Sequence, residues 1–381
     1  MRTFRQSLAQ LFGIETGTRP QYVRILRPRM LLNVLLYIFW RRFYPLKAFY
    51  QPINLMVEIS TVCNFRCPDC ERELYKNELS GLPKENVTLE NLKKIGGILP
   101  YVYSVYFVGG LGEPFLNPEF WQIHRFFKKF GVKTGYFSNA SLITEDIIEK
   151  TFKERVDNIT ISIDTTIKEK YEEIKKGADF NTIKAVIERF AFYKKKYRHR
   201  DFRIGLNYIF RSDNAEDILP YLDFAHQLGV DFVHCTSLIT HLEQRREKSF
   251  FEVDQAFKKK IFFEAEKKAK KLGIGLRLPA LDIDPNQKCE CLWKHLSIFY
   301  NGDVCACPYF RTPRNFYYHV KNGRLVYEKQ QVCDNIVGNY LETDIRKIWN
   351  SSRMQALRRS ETNKNSLTSP CDLCYYKYRF H

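Results

Sequence analysis

Three thiols leave one short stretch of the chain, Cys63-Asn-Phe-Arg-Cys67-Pro-Asp-Cys70. A cubic [4Fe–4S] cluster needs four thiolates for complete protein ligation, so three would leave one iron open to a small molecule. Zinc is the competing reading. Zinc ribbons and fingers usually place two ligands two to four residues apart and repeat the pair further on. Three cysteines within eight residues, with no histidine close by, fit that pattern poorly. A second stretch, Gly109-Gly110-Leu-Gly112-Glu113-Pro114, follows about fifty residues later. Glycines let the backbone approach a ligand closely, and a carboxylate at Glu113 could pair with an ammonium group.

These groups need a frame to hold them. From residue 54 onward strand and helix patterns alternate, which predicts an α/β fold built on a parallel sheet. Strands are expected at Asn54–Ser60, Ser104–Val108, Lys133–Ser138, Asn158–Ile163, Arg203–Phe210 and Asp231–Ser237. Helices are expected at Thr88–Leu99, Glu119–Phe130, Glu145–Phe152, Asn181–Tyr197, Glu216–Leu228 and Asp254–Leu272. Each polar motif falls just after a strand, where functional groups gather in parallel barrels. After Leu278 the rhythm stops, and residues 281–381 are rich in Cys, Asn, Tyr and Arg. The expected division is a basic, apolar segment over 1–50, a core over 51–280 and a small cysteine-rich domain over 281–381.

The chain has 381 residues, 44% of them hydrophobic, enough to build a core without disulfide staples. Its eleven cysteines cluster in short spacings and no cleavable signal pattern precedes them, which points to a reducing cytoplasm. The net charge is +18, and the first fifty residues carry nine basic side chains against Glu15 alone. Among them lies Met30–Trp40, eleven residues with only Asn33 strongly polar. A spanning helix needs about 20 apolar residues, so this one is too short to cross a bilayer. One reading is a helix packed on the core with its arginines solvated. The other is a peripheral contact through residues 24–44 with the inner membrane surface, aided by Trp40 and Tyr44. No recognisable nucleic-acid-binding module accompanies the charge, so nucleic acid is not an expected partner.

The C-x3-C-x2-C loop at one strand end and the glycine-rich turn at the next together resemble the radical S-adenosylmethionine (radical SAM) enzymes. The resemblance covers roughly residues 53–240. It implies a partial (β/α)6 TIM-type barrel and a [4Fe–4S] cluster on Cys63, Cys67 and Cys70, whose open iron chelates S-adenosylmethionine. A flavodoxin- or ferredoxin-type donor would reduce the cluster, and a 5′-deoxyadenosyl radical would abstract a substrate hydrogen. Gly110, Gly112 and Glu113 inherit the loop that holds the cofactor's amino group. Ser138 and Asn139 stand at a polar turn near the cofactor, and Ser162-Ile-Asp164 matches the family's S-x-D near the ribose and carboxylate. Lys175 stands where many relatives have an arginine that grips the carboxylate; lysine supplies the charge without the bidentate fork. Read without the resemblance, Ser138, Asn139, Ser162 and Asp164 are ordinary turn and capping residues. Asp69 departs from the family, which often has an aromatic residue before the third cysteine. No catalytic residue is assigned.

Over residues 286–376 the pattern C-x10-G-x4-C, from Cys291 through Gly302 to Cys307, followed by Cys371-Asp-Leu-Cys374, resembles the SPASM/twitch domains attached to many such enzymes. The likeness implies one auxiliary [4Fe–4S] cluster on Cys291, Cys307, Cys371 and Cys374, with zinc as the competing occupant. Cys289, Cys305 and Cys333 are left over, and Cys289 or Cys305 could replace a named ligand. Cys235, inside a strand, reads as a small hydrophobe. The substrate class implied is a peptide, a sugar or a membrane-associated small molecule. The alternative from another class is a non-catalytic cysteine-rich metal- or nucleic-acid-binding protein, in which Glu113 and the strand-end polar residues would have no role.

Overall fold

The computed structural model describes residues 27–43, 46–74, 85–108, 110–238, 243–284, 289–307, 314–321, 324–332, 336–362 and 374. The strands are β1 Asn54–Glu58, β2 Ser104–Val108, β3 Lys133–Ser138, β4 Asn158–Ser162, β5 Arg203–Phe210, β6 Phe232–Ser237, β7 Gly275–Arg277, β8 His295–Ile298, β9 Asp303–Cys305, β10 Arg314–Lys321, β11 Arg324–Val332 and β12 Ile336–Asn339. Ten of them form one sheet in the order β12-β9-β8-β1-β2-β3-β4-β5-β6-β7. Neighbours from β1 to β7 pair in parallel. Strand β8 pairs in parallel with β1, so Asn54 meets His295 on one side and Ser104 on the other. Strands β9 and β12 continue that edge antiparallel, while β10 and β11 form a separate hairpin. The sheet is open, as a partial barrel requires.

All six expected strands form, and the seventh parallel strand, β7, was too short to announce itself. The pleat separates two faces. Leu55, Val57, Val105, Phe107, Tyr136, Ile159, Ile161, Leu206, Tyr208, Val233 and Cys235 are buried and point toward the helices. Met56, Tyr106, Phe137, Ser162, Asn207 and His234 alternate with them, keep partial exposure and line the concave face. The expected helix Thr88–Leu99 is instead a short helix, Leu89–Lys93, and a 3₁₀ segment, Gly96–Tyr101. Gly96, Gly97 and Pro100 account for the break, since neither residue type sustains a helix interior. The helix over Lys168–Ile174 has only Tyr171 and Ile174 as apolar residues, too few to set a helical period in the sequence.

The N-terminal helix Pro28–Phe43 packs on the barrel through Met30, Asn33, Val34 and Tyr37. C-terminal residues close over the same end. Trp349 donates its indole N–H to the Tyr50 carbonyl at 2.8 Å, Asn350 bonds Ala48 in both directions, and the buried Arg358 guanidinium donates to the Leu46 and Leu292 carbonyls. Among the described residues no helix is long and apolar enough to cross a membrane.

Candidate cluster and cofactor site

After β1 the chain passes Ser60, whose bridge to Asn86 ends the regular pairing, and enters the loop of Cys63, Cys67 and Cys70. All three thiols are partly buried, and none is in a disulfide. Burial pushes the thiol of Cys67 up to about 11 against the pull of Lys175, and burial also raises Cys63 and Cys70. Neighbouring thiols add to this at Cys67 and Cys70, and a metal centre held here would bind the thiolate forms in place of these protons. The loop is held by its own backbone. Phe65 donates its N–H to the Cys63 sulfur at 3.4 Å, Cys70 N–H bonds the Cys67 carbonyl, and Arg66 N–H bonds the Lys176 carbonyl. Three soft donors on one such loop fit an iron–sulfur cluster bound through three irons.

The glycine-rich turn folds against this loop. A side chain at Gly112 would strike the carbonyls of Ser60 and Val62 at 2.4 and 2.7 Å, and one at Gly110 would strike the Glu58 carboxylate. Gly110 also has φ of 56°, which glycine tolerates best. The close approach lets Glu113 N–H bond the Val62 carbonyl at 2.7 Å. The Glu113 carboxylate is 2% exposed. It accepts the Ser138 hydroxyl at 2.7 Å and the Asn139 N–H at 2.8 Å. Burial nonetheless dominates and pushes its carboxyl up to about 7. Among the described residues no cationic side chain is among its hydrogen-bond partners. Asn139 reaches on to Asn64 at 3.0 Å, inside the cysteine loop.

Asp164 and Lys175 lie on the same side. Lys175 Nζ is 2.8 Å from Asp164, whose side chain is buried, and Lys175 itself is mostly buried. Although desolvation opposes its charge, Asp164 and the nearby Cys67 hold the Lys175 ammonium above its ordinary pKa. Asp164 also accepts the Ile209 N–H at 3.1 Å, so each carboxylate oxygen has a protein partner. Ser162 ends β4 with partial exposure, facing the concave side.

Two arrangements were not legible in the sequence. Asp69, the residue before Cys70, is ion-paired with Arg211 at the end of β5, and Arg245 stands 3.6 Å from its other oxygen. Arg211 is 7% exposed in its side chain and also binds Asp213 at 2.9 Å. The cluster loop is thus tied across the barrel mouth. Farther in, the register places Ser162, Asn207, His234 and Arg277 side by side on β4, β5, β6 and β7. Only the pairing reveals this polar row on the concave face.

At the other end of the barrel Cys289, Cys291 and Cys307 are linked by thiol contacts. Against the downward pull of Cys289, the Cys307 thiol and burial push Cys291 up to about 12. Cys291 and Cys307 therefore come together as expected, and Cys289, left over in the sequence reading, joins them. Cys305 and Cys374 are buried. Cys371, Cys333 and Gly109 lie outside the described residues.

A family model described as the Radical SAM superfamily matches residues 57–225, and a second, described as an iron–sulfur cluster-binding domain (SPASM), matches residues 289–375. Among curated relatives, the tungsten-containing aldehyde ferredoxin oxidoreductase cofactor-modifying protein of Pyrococcus furiosus is 23% identical over 330 residues, 84% of this chain and 86% of that protein. The AdoMet-dependent heme synthase of Methanosarcina barkeri is 24% identical over 182 residues, 48% of this chain and 49% of that protein, so this match spans about half of each. Among solved structures, Streptococcus suis SuiB bound to S-adenosylmethionine aligns with a TM-score of 0.62 at 16% identity, covering 97% of this chain and 82% of that one. Native anSMEcpe with bound AdoMet aligns at 0.60 and 16% identity, covering 86% and 88%. These likenesses bear on the fold: both contain the open parallel barrel.

Proposed function

This chain belongs to the radical SAM superfamily and carries a SPASM-type iron–sulfur domain, and from that premise we propose how its residues divide the work. It is a radical SAM enzyme with a [4Fe–4S] cluster and S-adenosylmethionine as cofactors. When bound and reduced, these supply the electron that splits S-adenosylmethionine and the 5′-deoxyadenosyl radical that removes a substrate hydrogen. The reading of a non-catalytic metal- or nucleic-acid-binding protein is not favoured.

Cys63, Cys67 and Cys70 hold the cluster. Glu113, in its cradle of Ser138 and Asn139, takes the cofactor's ammonium, with Gly110 and Gly112 permitting the close approach. Lys175, fixed by Asp164, faces the cofactor carboxylate, and Ser162 meets the ribose side. The observation that carries this division is the buried Glu113 carboxylate beside a three-thiol loop, hydrogen-bonded but without a cationic partner among the described residues. Cys291 and Cys307, with Cys371 and Cys374, hold an auxiliary cluster, and Cys289 competes for one of these places. The substrate is a peptide, a sugar or a membrane-associated small molecule lying against the row Asn207, His234 and Arg277. A flavodoxin- or ferredoxin-type protein is the electron donor, the chain works in the cytoplasm, and residues 24–44 give it a peripheral membrane contact. The boundaries proposed are 1–50, 51–280 and 281–381.

Anaerobic reconstitution followed by a 5′-deoxyadenosine assay with dithionite tests the reading. The intact protein should release 5′-deoxyadenosine, and replacement of Cys63, Cys67 and Cys70 by Ala should abolish it. Equal release from both proteins would overturn the cluster assignment.

A further inference from the structure

Helix Pro28–Phe43 has two apolar faces, and the barrel covers only one. Met30, Val34 and Tyr37 are buried against the core. On the other side Leu32, Leu35, Phe39 and Phe43 are 54%, 54%, 52% and 60% exposed, with Leu31 and Ile38 close behind. At 3.6 residues per turn these six side chains fall within an arc of about 140°. Exposed apolar residues scattered singly are ordinary, whereas six on one helix make a patch of the kind that marks an interaction site.

The charge around the patch selects the partner. Arg29, Arg42 and Lys47 are exposed beside it, and residues 1–50 contain one acidic residue, Glu15. Glu290, the acid that meets this helix, is already engaged by the Tyr37 hydroxyl at 2.6 Å and by Arg41 and Lys294. Long basic side chains can lie along apolar surface and keep their charge in the headgroup layer. An apolar face with a basic, acid-poor rim complements an anionic lipid surface. At about 24 Å the helix lies in that surface and does not cross it.

Its attachment decides which way the barrel points. The Asn33 amide donates to the Gln51 and Tyr101 carbonyls at 3.0 and 3.3 Å. The Arg27 guanidinium donates to the carbonyls of Leu99, Val102 and Phe130. All five acceptors precede β1, β2 or β3, so the helix covers the end where the strands begin. Cys63, Cys67, Cys70 and Glu113 follow strand ends at the opposite side, about 17 Å away for a five-residue strand. Glu290, between Cys289 and Cys291, touches the helix directly.

We propose that the Leu31, Leu32, Leu35, Ile38, Phe39 and Phe43 face docks on an anionic lipid surface and holds the barrel with its Cys289–Cys291 end toward the membrane and its Cys63–Cys70 mouth toward the solvent. This rests on the membrane contact proposed above and adds the residues and the orientation. A reductant then reaches the mouth from the aqueous side, and a lipid-linked substrate has no direct path from the docked face to the mouth.

Flotation of the full-length protein with vesicles of 70% phosphatidylcholine and 30% phosphatidylglycerol, combined with hydrogen exchange, tests this. Flotation is expected at 50 mM salt, with a loss of at least tenfold at 500 mM salt or with pure phosphatidylcholine. Leu35→Glu and Phe39→Glu should each lower it at least tenfold while the melting temperature stays within a few degrees. Vesicles should slow exchange in residues 28–43 and leave 61–72 unchanged. Flotation with protection at 61–72 instead would overturn the orientation while keeping the membrane contact. Absence of flotation by the folded protein at low salt would overturn both. A dimer that Leu35→Glu converts to monomer without vesicles would assign the face to a second copy and overturn the lipid assignment.

Discussion

Replacing Glu113 by Gln should weaken cofactor binding and at the same time stabilise the protein above neutral pH. The carboxyl is buried and titrates at about 7, against an ordinary value of 4.5. A folded-state value above the unfolded one means that the folded protein binds the proton more tightly. The resulting stability is complete below pH 4.5 and is lost as pH rises through 7. The window of 2.5 units corresponds to an upper bound of roughly 3 kcal/mol. Glutamine has no proton to lose, so Glu113→Gln should melt higher than the unaltered protein at pH 8, with the advantage shrinking toward pH 5. Binding follows the opposite logic. An ammonium group needs the carboxylate form, so the apparent dissociation constant of S-adenosylmethionine for the reconstituted protein should be about tenfold larger at pH 6 than at pH 8. Loss of the charge-assisted bond in Glu113→Gln should cost about 1.5–3 kcal/mol at pH 8, and the pH dependence should vanish. Isothermal titration at pH 6, 7 and 8, paired with thermal melts of the cofactor-free protein, measures both effects. Affinity that is flat across this range, or that keeps its slope in Glu113→Gln, would refute the assignment of the ammonium to Glu113.

The remaining expectations concern neighbouring parts of the same machinery. Iron and sulfide analysis should give about eight irons per reconstituted chain for two cubic clusters, falling to about four when Cys63, Cys67 and Cys70 are replaced by Ala; four in the intact protein would leave room for one cluster only. Lys175→Met should weaken S-adenosylmethionine binding about tenfold or more, because a buried charge-assisted contact is removed; an unchanged titration would take Lys175 out of the site. Arg211→Met should destabilise the cluster-free protein by about 3 kcal/mol, since it leaves the mostly buried Asp69 with the more distant Arg245, 3.6 Å away, as its cation among the described residues. Denaturant melts should show the Asp69→Asn, Arg211→Met double variant recovering part of that loss; strictly additive losses would mean that the pair is not coupled.

The chain's local chemistry is set by the sequence itself. Cys63, Cys67 and Cys70 share one loop, so their spacing alone confines them, and the six central strands declare themselves by short apolar runs between helical periods. What the sequence could not determine is every relation that depends on how distant segments pack. Glu113 meets Ser138 and Asn139 because two loops after adjacent parallel strands turn toward each other. Asp69 meets Arg211 across a separation of 142 residues. The row Ser162, Asn207, His234 and Arg277 exists only once the register is set, because a slip of one residue would turn each side chain to the opposite face. Cys289 stands two residues from Cys291 and was a candidate from spacing alone, but only the folding of β8 and β9 against the edge of the barrel brings Cys307 to Cys291. The apolar run at Met30–Trp40 was visible as hydrophobic, but only packing could separate the residues spent on the core from those left facing out. Ligand spacing and strand alternation are properties of a few consecutive residues; burial and charge pairing belong to the packed whole, where desolvation sets the state of Glu113 and contacts across the sheet set its partners.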